Sequence, residues 1–277
     1  MKFTKMHGTG NDYVFVNCLV ENIPDRAKLA RRISDRHFGI GSDGLICICP
    51  SDTADFMMDM YNLDGSSGMM CGNGIRCVGK FIYDKGLSDK TELVIETRSG
   101  LRAIRLNVEK GTVKTVRVAM GSPEFSSEKI PIISKSENYV NQPLEIDEVV
   151  YNATALSVGN PHCVIFLDDM NSIELSKIGP QIECHPMFPE RVNVEFIEVI
   201  DSGHLRMRVW ERGSGITLAC GTGATASVCA AALLGYTGNE VVVTLDGGNL
   251  IIEWDREADM LYMTGPAETV FEGEYPM

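Results

Sequence analysis

Long apolar runs are missing from this sequence of 277 residues. No stretch approaches the roughly 18–20 apolar residues that a membrane-spanning helix needs, so no membrane partner is expected. Residues 1–16 carry lysines but neither an unbroken apolar core nor a small-residue cleavage site, and therefore do not resemble a secretory signal peptide. The hydrophobic content of 44% is that of a soluble globular protein. A cytoplasmic location is the expectation.

Positive charge is also scarce. Lysine and arginine number 25 against 38 acidic residues, which gives a net charge of −13 and argues against nucleic acid as a partner. The cysteine count of nine is odd, so a closed disulfide framework is not expected. Cys47-Ile-Cys49 and Cys184-His185 lack the ligand spacing of zinc sites, and no metal is expected.

An internal repeat is the strongest feature that is present. Cys71-Gly-Asn-Gly returns as Cys220-Gly-Thr-Gly, 149 residues later (220 − 71). Three further pairs of segments share this offset: Gly10-Asn11 with Gly159-Asn160, Tyr61-Asn62 with Trp210-Glu211, and the amphipathic stretches 25–37 and 174–186. One offset across four elements predicts a duplicated chain with two similar domains.

Each half combines strand-like segments with one short and one longer helical stretch. The segment after Cys71 has helical spacing of apolar residues, and the one after Cys220 is apolar almost all round, as a core helix would be. We therefore predict an α/β (α+β) fold of two pseudo-symmetric domains, each a sheet wrapped around a central helix. The predicted halves are 1–120, with 266–277 returning to it, and 121–265. The polar segment 126–141, which contains Pro131, is the predicted crossing between them.

The two repeated cysteines carry the candidate chemistry. Each directly precedes a Gly-x-Gly turn that opens a helix, where free amides and the helix dipole stabilise a thiolate or a bound carboxylate. The other seven cysteines do not directly precede such a turn and are interpreted as small buried hydrophobes. If the two domains face one cleft, Cys71 and Cys220 reach a substrate from opposite sides. One thiolate would then remove an α-proton and the opposite thiol would return one, which inverts the stereocentre.

A family resemblance rests on motifs that run from end to end of the chain. They are Lys5-Met-His-Gly-Thr-Gly-Asn-Asp12, Gly39-Ile-Gly-Ser-Asp-Gly44, Asn62-Leu-Asp-Gly65, Met70-Cys-Gly-Asn-Gly-Ile-Arg-Cys77, Ser157-Val-Gly-Asn-Pro-His-Cys163, Arg191-Val-Asn-Val-Glu-Phe196, Trp210-Glu-Arg-Gly213, Leu218-Ala-Cys-Gly-Thr-Gly-Ala224 and Val270-Phe-Glu-Gly-Glu274. In this order they resemble diaminopimelate epimerase. The resemblance implies the diaminopimelate epimerase-like fold and a homodimer without pyridoxal phosphate or any other cofactor. It also implies interconversion of LL- and meso-diaminopimelate on the route to lysine and cell-wall precursors.

The resemblance also implies roles for particular residues. Catalytic roles fall to Cys71, Cys220, His162 and Glu211. Substrate contacts fall to Asn11, Gly44, Asn62, Gly72, Asn73, Asn160, Asn193, Glu211, Arg212, Gly221 and Thr222. Many relatives carry glutamine where this chain has Gly44, so one side-chain contact is absent. From the residues alone, Asn11 and Asn160 could equally be turn residues, and His162 a structural histidine.

Three alternatives stay open. Gly221-x-Gly223-x-x-Ala226 fits a dinucleotide-binding fingerprint, with Asp246 after a later strand, but this leaves both cysteines and the first half of the repeat unexplained. Proline or hydroxyproline racemases also use paired bases, whereas Glu211 and Arg212 suit a substrate with a second amino-acid end. A non-enzymatic ligand-binding protein would exchange no proton.

Overall fold

A computed structural model of the chain describes residues 1–276 and divides into two compact units. Unit 1 comprises residues 1–119 with the C-terminal segment from Thr264, and unit 2 comprises Met120–Met263. The elements, in chain order, are β1 (Lys2–Gly8), β2 (Asn11–Asn17), α1 (Arg26–Ser34), β3 (Gly44–Cys49), β4 (Phe56–Asn62), β5 (Ser67–Gly68), α2 (Gly72–Asp84), β6 (Glu92–Thr97), β7 (Gly100–Glu109), β8 (Thr112–Gly121), β9 (Gln142–Ile146), β10 (Val149–Ser157), β11 (Pro161–Leu167), a 3-10 turn (Met170–Ser172), α3 (Leu175–Glu183), β12 (Asn193–Asp201), β13 (His204–Glu211), β14 (Gly215–Ile216), α4 (Gly221–Leu233), β15 (Glu240–Leu245), β16 (Gly248–Asp255), β17 (Met260–Pro266) and β18 (Glu268–Glu274).

Unit 1 is a mixed sheet that encloses α2. β18 pairs antiparallel with β1 and β1 with β2, β2 is parallel to β3, and β3 is antiparallel to β4. β4 is parallel to β6, after which β7 and β8 continue antiparallel. The helix α2 contacts β1, β2 and β7 and is buried from Gly72 to Ile82. A helix buried on every side in its first three turns is the central element around which this sheet is built.

Unit 2 repeats this order of elements. β9 lies antiparallel to β10 and β10 to β11, β11 is parallel to β12, and β12 is antiparallel to β13. β13 is then parallel to β15, which pairs antiparallel with β16. The helix α4 is buried from Gly221 to Ala231 almost without a break and contacts β10–β13 and β16. Both helix pairs obey the offset of the sequence repeat, since α1 and α2 recur at α3 and α4. The predicted α+β fold with a central helix in each half is confirmed.

The segment 126–141 is not the crossing between the halves, so that prediction was wrong. The division of the chain falls within β8, and the whole segment belongs to unit 2. Although the segment is mostly polar, three of its residues, Ile130, Ile132 and Tyr139, are part of the unit 2 core. Its polar side chains are partly used internally, as when the Ser127 hydroxyl donates to the Ser136 carbonyl at 2.8 Å. A loop with a few core residues packs as part of the domain even when most of its residues are polar.

No helix within residues 1–276 combines the length and the apolar character that crossing a bilayer requires.

Candidate active site

Cys71 is the N-cap of α2. Its backbone is extended (φ −128°, ψ 119°), and its sulfur accepts a hydrogen bond from the amide of Gly74 at 3.3 Å. An N-cap side chain normally satisfies one of the free amides of the first turn, and here a sulfur does so. A Cβ at residue 74 would lie 2.7 Å from the Ile46 side chain, so glycine lets the helix start close to the sheet. The Cys-Gly-x-Gly pattern therefore places a thiol in the field of a helix N-terminus.

The side chains around Cys71 come from β2 and the loop before β3. The Cys71 sulfur donates to Asn11 Oδ1 at 3.2 Å, and Asn11 Nδ2 donates to Asp43 Oδ2 at 2.7 Å. The phenol of Tyr13 lies close enough to the same sulfur for each to influence the other's protonation. Burial, together with the negative charge that Cys71 and Asp43 can carry, raises the pKa of Tyr13 well above its ordinary value. The Tyr13 hydroxyl therefore stays protonated near the thiol.

A buried cation lies behind this site. Arg76 is fully buried in α2 and donates to Pro266 O at 3.1 Å, Gly72 O at 3.2 Å and Thr9 Oγ1 at 3.2 Å. Burial lowers the pKa of Arg76 to about 10, while negative charge on nearby thiols, Cys71 among them, raises it. The guanidinium therefore remains charged at neutral pH and attracts a thiolate at Cys71. We call Asn11, Tyr13, Asp43, Cys71 and Arg76 the Cys71 cluster.

Cys220 is the N-cap of α4 in the same way. Its backbone angles are φ −120° and ψ 112°, and its sulfur accepts from the amide of Gly223 at 3.3 Å. The pKa of Cys220 lies well above its usual range, because the thiol is buried and because Glu211 and Glu195 oppose a further negative charge. Burial also raises the pKa of Glu211, although the Thr217 hydroxyl donates to its Oε1 at 2.5 Å. The neighbouring Cys220 thiol acts on the pKa of Glu211 in the lowering direction.

A buried acid–imidazole pair adjoins Cys220. His162 on β11 and Glu195 on β12 are both 0% exposed, and His162 Nδ1 lies 2.7 Å from Glu195 Oε1. His162 Nε2 lies 3.0 Å from Asn160 Oδ1. Both ring nitrogens of His162 are therefore held by side-chain oxygens, which fixes the orientation of the ring. We call Asn160, His162, Glu195, Glu211 and Cys220 the Cys220 cluster.

Of the remaining predicted contacts in unit 1, Asn62 and Gly44 are paired across β3 and β4. Asn62 donates to Ser66 Oγ at 3.0 Å in the turn that follows β4. A Cβ at Gly44 would lie 2.1 Å from the Tyr61 carbonyl oxygen, so this backbone admits no side chain there. Asn73, next to Gly72 in the first turn of α2, is buried, and its Oδ1 accepts from Thr9 Oγ1 at 3.3 Å.

In unit 2, Asn193 is used within the protein. Its Oδ1 accepts from the Arg212 amide at 2.8 Å, and its Nδ2 donates to the Pro161 carbonyl at 3.1 Å. Through these two hydrogen bonds, Asn193 on β12 links the loop after β13 to the start of β11. The Arg212 side chain is exposed and donates to the Glu190 carbonyl at 2.9 Å. Gly221 is buried at the start of α4, and the half-buried Thr222 lies 3.5 Å from the Cys220 sulfur through its hydroxyl.

Four residues of these clusters were not among the predicted site residues: Tyr13, Asp43, Arg76 and Glu195. The repeat offset carried a signal for Tyr13, which occupies the position of His162 in the other half. Glu195 lies two residues after Asn193 on the same strand and so faces the same side of the sheet. Within the part of the chain that the structure describes, His, Cys, Asp and Glu residues form no group of three or more that could hold a metal ion.

The solved structures with this fold are distant in sequence. A Bacillus anthracis phenazine biosynthesis protein of the PhzF family superimposes with a TM-score of 0.74 at 16% identity, covering 100% of this chain and 99% of its own. A probable proline racemase from Agrobacterium radiobacter gives a TM-score of 0.72 at 14% identity, covering 100% of this chain and 93% of its own. At these identities the likeness shows a shared fold.

Sequence relatives are much closer. The family model for diaminopimelate epimerase matches residues 3–126 and 154–270. Diaminopimelate epimerase of Methanococcus maripaludis is 51% identical over 274 residues, which cover 99% of both chains. That of Acetivibrio thermocellus is also 51% identical over 274 residues, covering 99% of this chain and 98% of the relative. A family model that matches most of the chain and relatives that are half identical over almost its full length show that this chain belongs to the diaminopimelate epimerase family.

Proposed function

We propose that this protein interconverts LL- and meso-2,6-diaminopimelate by proton transfer at one α-carbon, without a cofactor, in lysine and cell-wall precursor biosynthesis. The observation that carries the proposal is the pair of cysteines that cap α2 and α4, each with its sulfur 3.3 Å from a first-turn amide. Helix N-termini stabilise thiolates and bind carboxylates, which are the two things that α-proton abstraction from an amino acid requires. Membership of the family names the substrate class.

In the proposed reaction one sulfur acts as base and the other as acid. The electron pair of a thiolate takes the α-proton, and the C–H bond electrons move toward the substrate carboxylate to form an enediolate. The opposite thiol then gives its proton to the other face of the carbon, which leaves a new thiolate and the inverted centre. The backbone amides of the first helical turns, after Cys71 and after Cys220, are the donors that would hold the added carboxylate charge.

The surroundings of the two sulfurs support different resting states. Cys220 is buried among carboxyl groups, and its raised pKa favours the protonated thiol. Cys71 lies near the buried guanidinium of Arg76 and beside the Tyr13 hydroxyl, which both favour a thiolate. In the first half-cycle we therefore assign Cys71 as the base and Cys220 as the acid. Substrate of the opposite configuration requires the reverse protonation of the pair.

The far end of the substrate carries a second amino and carboxyl group. We propose that the exposed guanidinium of Arg212 binds this distal carboxylate, since its planar fork matches two carboxylate oxygens. Glu211 is proposed as the partner of an ammonium group. Amide side chains can accept from ammonium and donate to carboxylate, which is the role proposed for Asn11, Asn62 and Asn160. For Asn193, whose amide is already paired at both ends, we propose that it positions Arg212.

We also propose that the enzyme is a cytoplasmic homodimer, in line with the family resemblance. Sedimentation equilibrium of the purified chain tests the assembly state. A mass of twice 30.4 kDa is expected, and the mass of a single chain would contradict the proposal.

The activity is tested by incubating the purified chain with LL-diaminopimelate and resolving the isomers by chiral chromatography. The meso isomer should accumulate until the LL:meso ratio reaches the same value as in a reaction started from meso. L-Proline, supplied in parallel, should stay unconverted, because it has no distal group for Arg212 and Glu211. Conversion of proline but not of diaminopimelate would replace this function by that of a proline racemase. Absence of both reactions would leave a ligand-binding protein and refute the proposal.

A further inference from the structure

The fully buried carboxyl group of Glu195 lies within the motif Arg191-Val-Asn-Val-Glu-Phe196, but neither the predicted site nor the proposed reaction gives it a role. It stands on β12, a strand otherwise apolar over its first five residues apart from Asn193, and is 0% exposed. Burial of a carboxylate is costly unless charge and hydrogen bonds compensate it, so such a group needs an explanation. One of its oxygens, Oε1, is hydrogen-bonded to His162 Nδ1 at 2.7 Å. Among residues 1–276 the other oxygen, Oε2, has no hydrogen-bond partner.

The start of α4 is shaped around this carboxyl group. A Cβ at Gly223 would lie 2.5 Å from Glu195 Oε1 and 3.1 Å from its Cδ, so only glycine leaves room for the acid. Gly223 is also the residue whose amide donates to the Cys220 sulfur. Glu195 thus packs against the same helical turn that presents the thiol, and its charge acts on both Cys220 and Glu211.

The ionisable groups that act on Cys220 come from three strands. Glu211 on β13 and Glu195 on β12 oppose a negative charge on the sulfur, whereas His162 on β11 offsets the charge of both carboxyl groups in part. The Thr222 hydroxyl and the Gly223 amide, both on α4, favour the thiolate. Within this set, Glu195 holds the imidazole ring in place and contributes negative charge. Its side chain is fully buried. It therefore acts through its neighbours.

We infer that Glu195 is a positioning residue of the reaction, which holds His162 in place and keeps the proton on Cys220 in the resting enzyme. The inference rests on the proposed function, because it assigns Cys220 as the resting acid. The duplicated half has no equivalent acid, since Ile46 occupies the corresponding position behind Cys71. Glu195 would therefore be one reason why the two thiols differ although their helices match.

The test uses Glu195→Gln in the full chain and follows alkylation of each cysteine by iodoacetamide with peptide mass mapping, without substrate. Loss of one neighbouring negative charge should raise the thiolate fraction of Cys220 about tenfold at pH 8, and its labelling rate with it. Cys71 in the same protein should keep its rate. Cys229, fully buried on the same helix, reports local opening and should stay unlabelled. Glu198→Gln, which removes the same charge from the same strand away from the cluster, should behave as wild type.

Kinetics give the second readout. In Glu195→Gln, kcat for diaminopimelate should fall about tenfold or more with KM within twofold, because the residue orients a neighbour and does not touch substrate. Glu195→Asp retains the charge, so Cys220 labelling should stay near the wild-type rate while kcat recovers in part. If Glu195→Gln does not fold, the kcat of Glu195→Asp still tests whether the position of the carboxyl group matters.

An unchanged Cys220 labelling rate in Glu195→Gln would overturn the inference, and so would a parallel rise at Cys229 or equal labelling in the Asp and Gln variants. Because labelling is measured without substrate, its outcome is independent of whether diaminopimelate is the substrate.

Discussion

The Cys71 and Cys220 clusters share a backbone and differ in charge. In each, a cysteine caps a 13-residue helix, with a glycine amide 3.3 Å from its sulfur. Behind Cys71 lies the buried cation Arg76, whereas behind Cys220 lies the buried anion Glu195. Opposite charges next to two otherwise similar thiols favour opposite protonation states. Transfer in either direction requires one sulfur to be a thiolate and the other a thiol, and this difference in charge favours one of the two arrangements in the resting enzyme.

The repeat offset shows how this difference is encoded. Thr225 stands where Arg76 would be in the second half, and Ile46 stands where Glu195 would be in the first. Each charge was therefore acquired or kept in one half alone, on an element that both halves retain. Duplication supplies the two helix termini, and divergence at a few buried positions makes the two thiols unequal.

The largest effect is expected from removing either sulfur. Cys71→Ala and Cys220→Ala should each lower kcat by about 10³-fold, in the range of positioned acid–base groups. Chiral chromatography of diaminopimelate measures the loss, and circular dichroism checks the fold. Cys229→Ala, a core cysteine on α4, is the matched control and should keep activity. Near-wild-type turnover in either site variant would mean that the clusters do not act as a pair.

A smaller loss is expected from Arg212→Lys, which changes a feature that only the second half has. Lysine keeps the charge but loses the planar fork, so kcat/KM should fall about tenfold, mainly through KM. Initial-rate kinetics over a substrate range separate the two constants. Leu63, exposed at the corresponding position of the first half, provides the control Leu63→Ala, which should be neutral. Full tolerance of lysine would remove Arg212 from the proposed substrate contacts.

Arg76→Gln tests the charge difference between the two clusters on the side of Cys71. Loss of the buried cation should lower the thiolate fraction of Cys71 at pH 7, and its alkylation rate should fall about severalfold to tenfold. Peptide mapping after iodoacetamide treatment measures this rate, with Cys220 as the internal reference. Thr225→Val changes the matched position of α4 and should leave both rates unaltered. If Cys71 in Arg76→Gln reacts as in the wild type, the cation has a structural role only.

The smallest effect concerns Cys77, which lies on α2 where α4 has Ala226. Burial raises the pKa of Cys77 from 9.0 to about 12. The protonated thiol therefore contributes stability below pH 9, and this contribution is lost as the pH rises through 12. Cys77→Ala should lower the free energy of unfolding by about 1 kcal/mol at pH 7. Urea denaturation should find a smaller difference at pH 10.5, and a difference that grows with pH would contradict this sign.

Much of the fold could be predicted because hydrophobic patterns and the repeat agreed. The helix after Cys220 is apolar on every side, which only a core position allows, and α4 is buried accordingly. The crossing segment could not be predicted from composition. Three or four buried side chains such as Ile130 decide whether a polar loop packs on a domain, and a mean polarity does not detect them.

The site was predictable where chemistry lies in a local motif. Cys71 and Cys220 are recognisable because the glycines beside them fix a helix start. Glu195 and Arg76 were not recognised, because the significance of a charged residue depends on burial, and burial results from packing between distant segments. The use of Asn193 within the protein also depends on tertiary contacts, to Pro161 and to the Arg212 amide.

The central claim is that two different groups remove and return the α-proton. It is tested most directly by supplying LL-diaminopimelate in deuterium oxide and analysing both isomers by mass spectrometry before ten per cent of the substrate has reacted. With two bases, the meso product should carry one α-deuterium per molecule while the remaining LL substrate carries almost none, because the returning thiol has exchanged with solvent. A meso product that retains its α-proton, or deuterium that enters the LL pool first, would identify a single base and contradict the account.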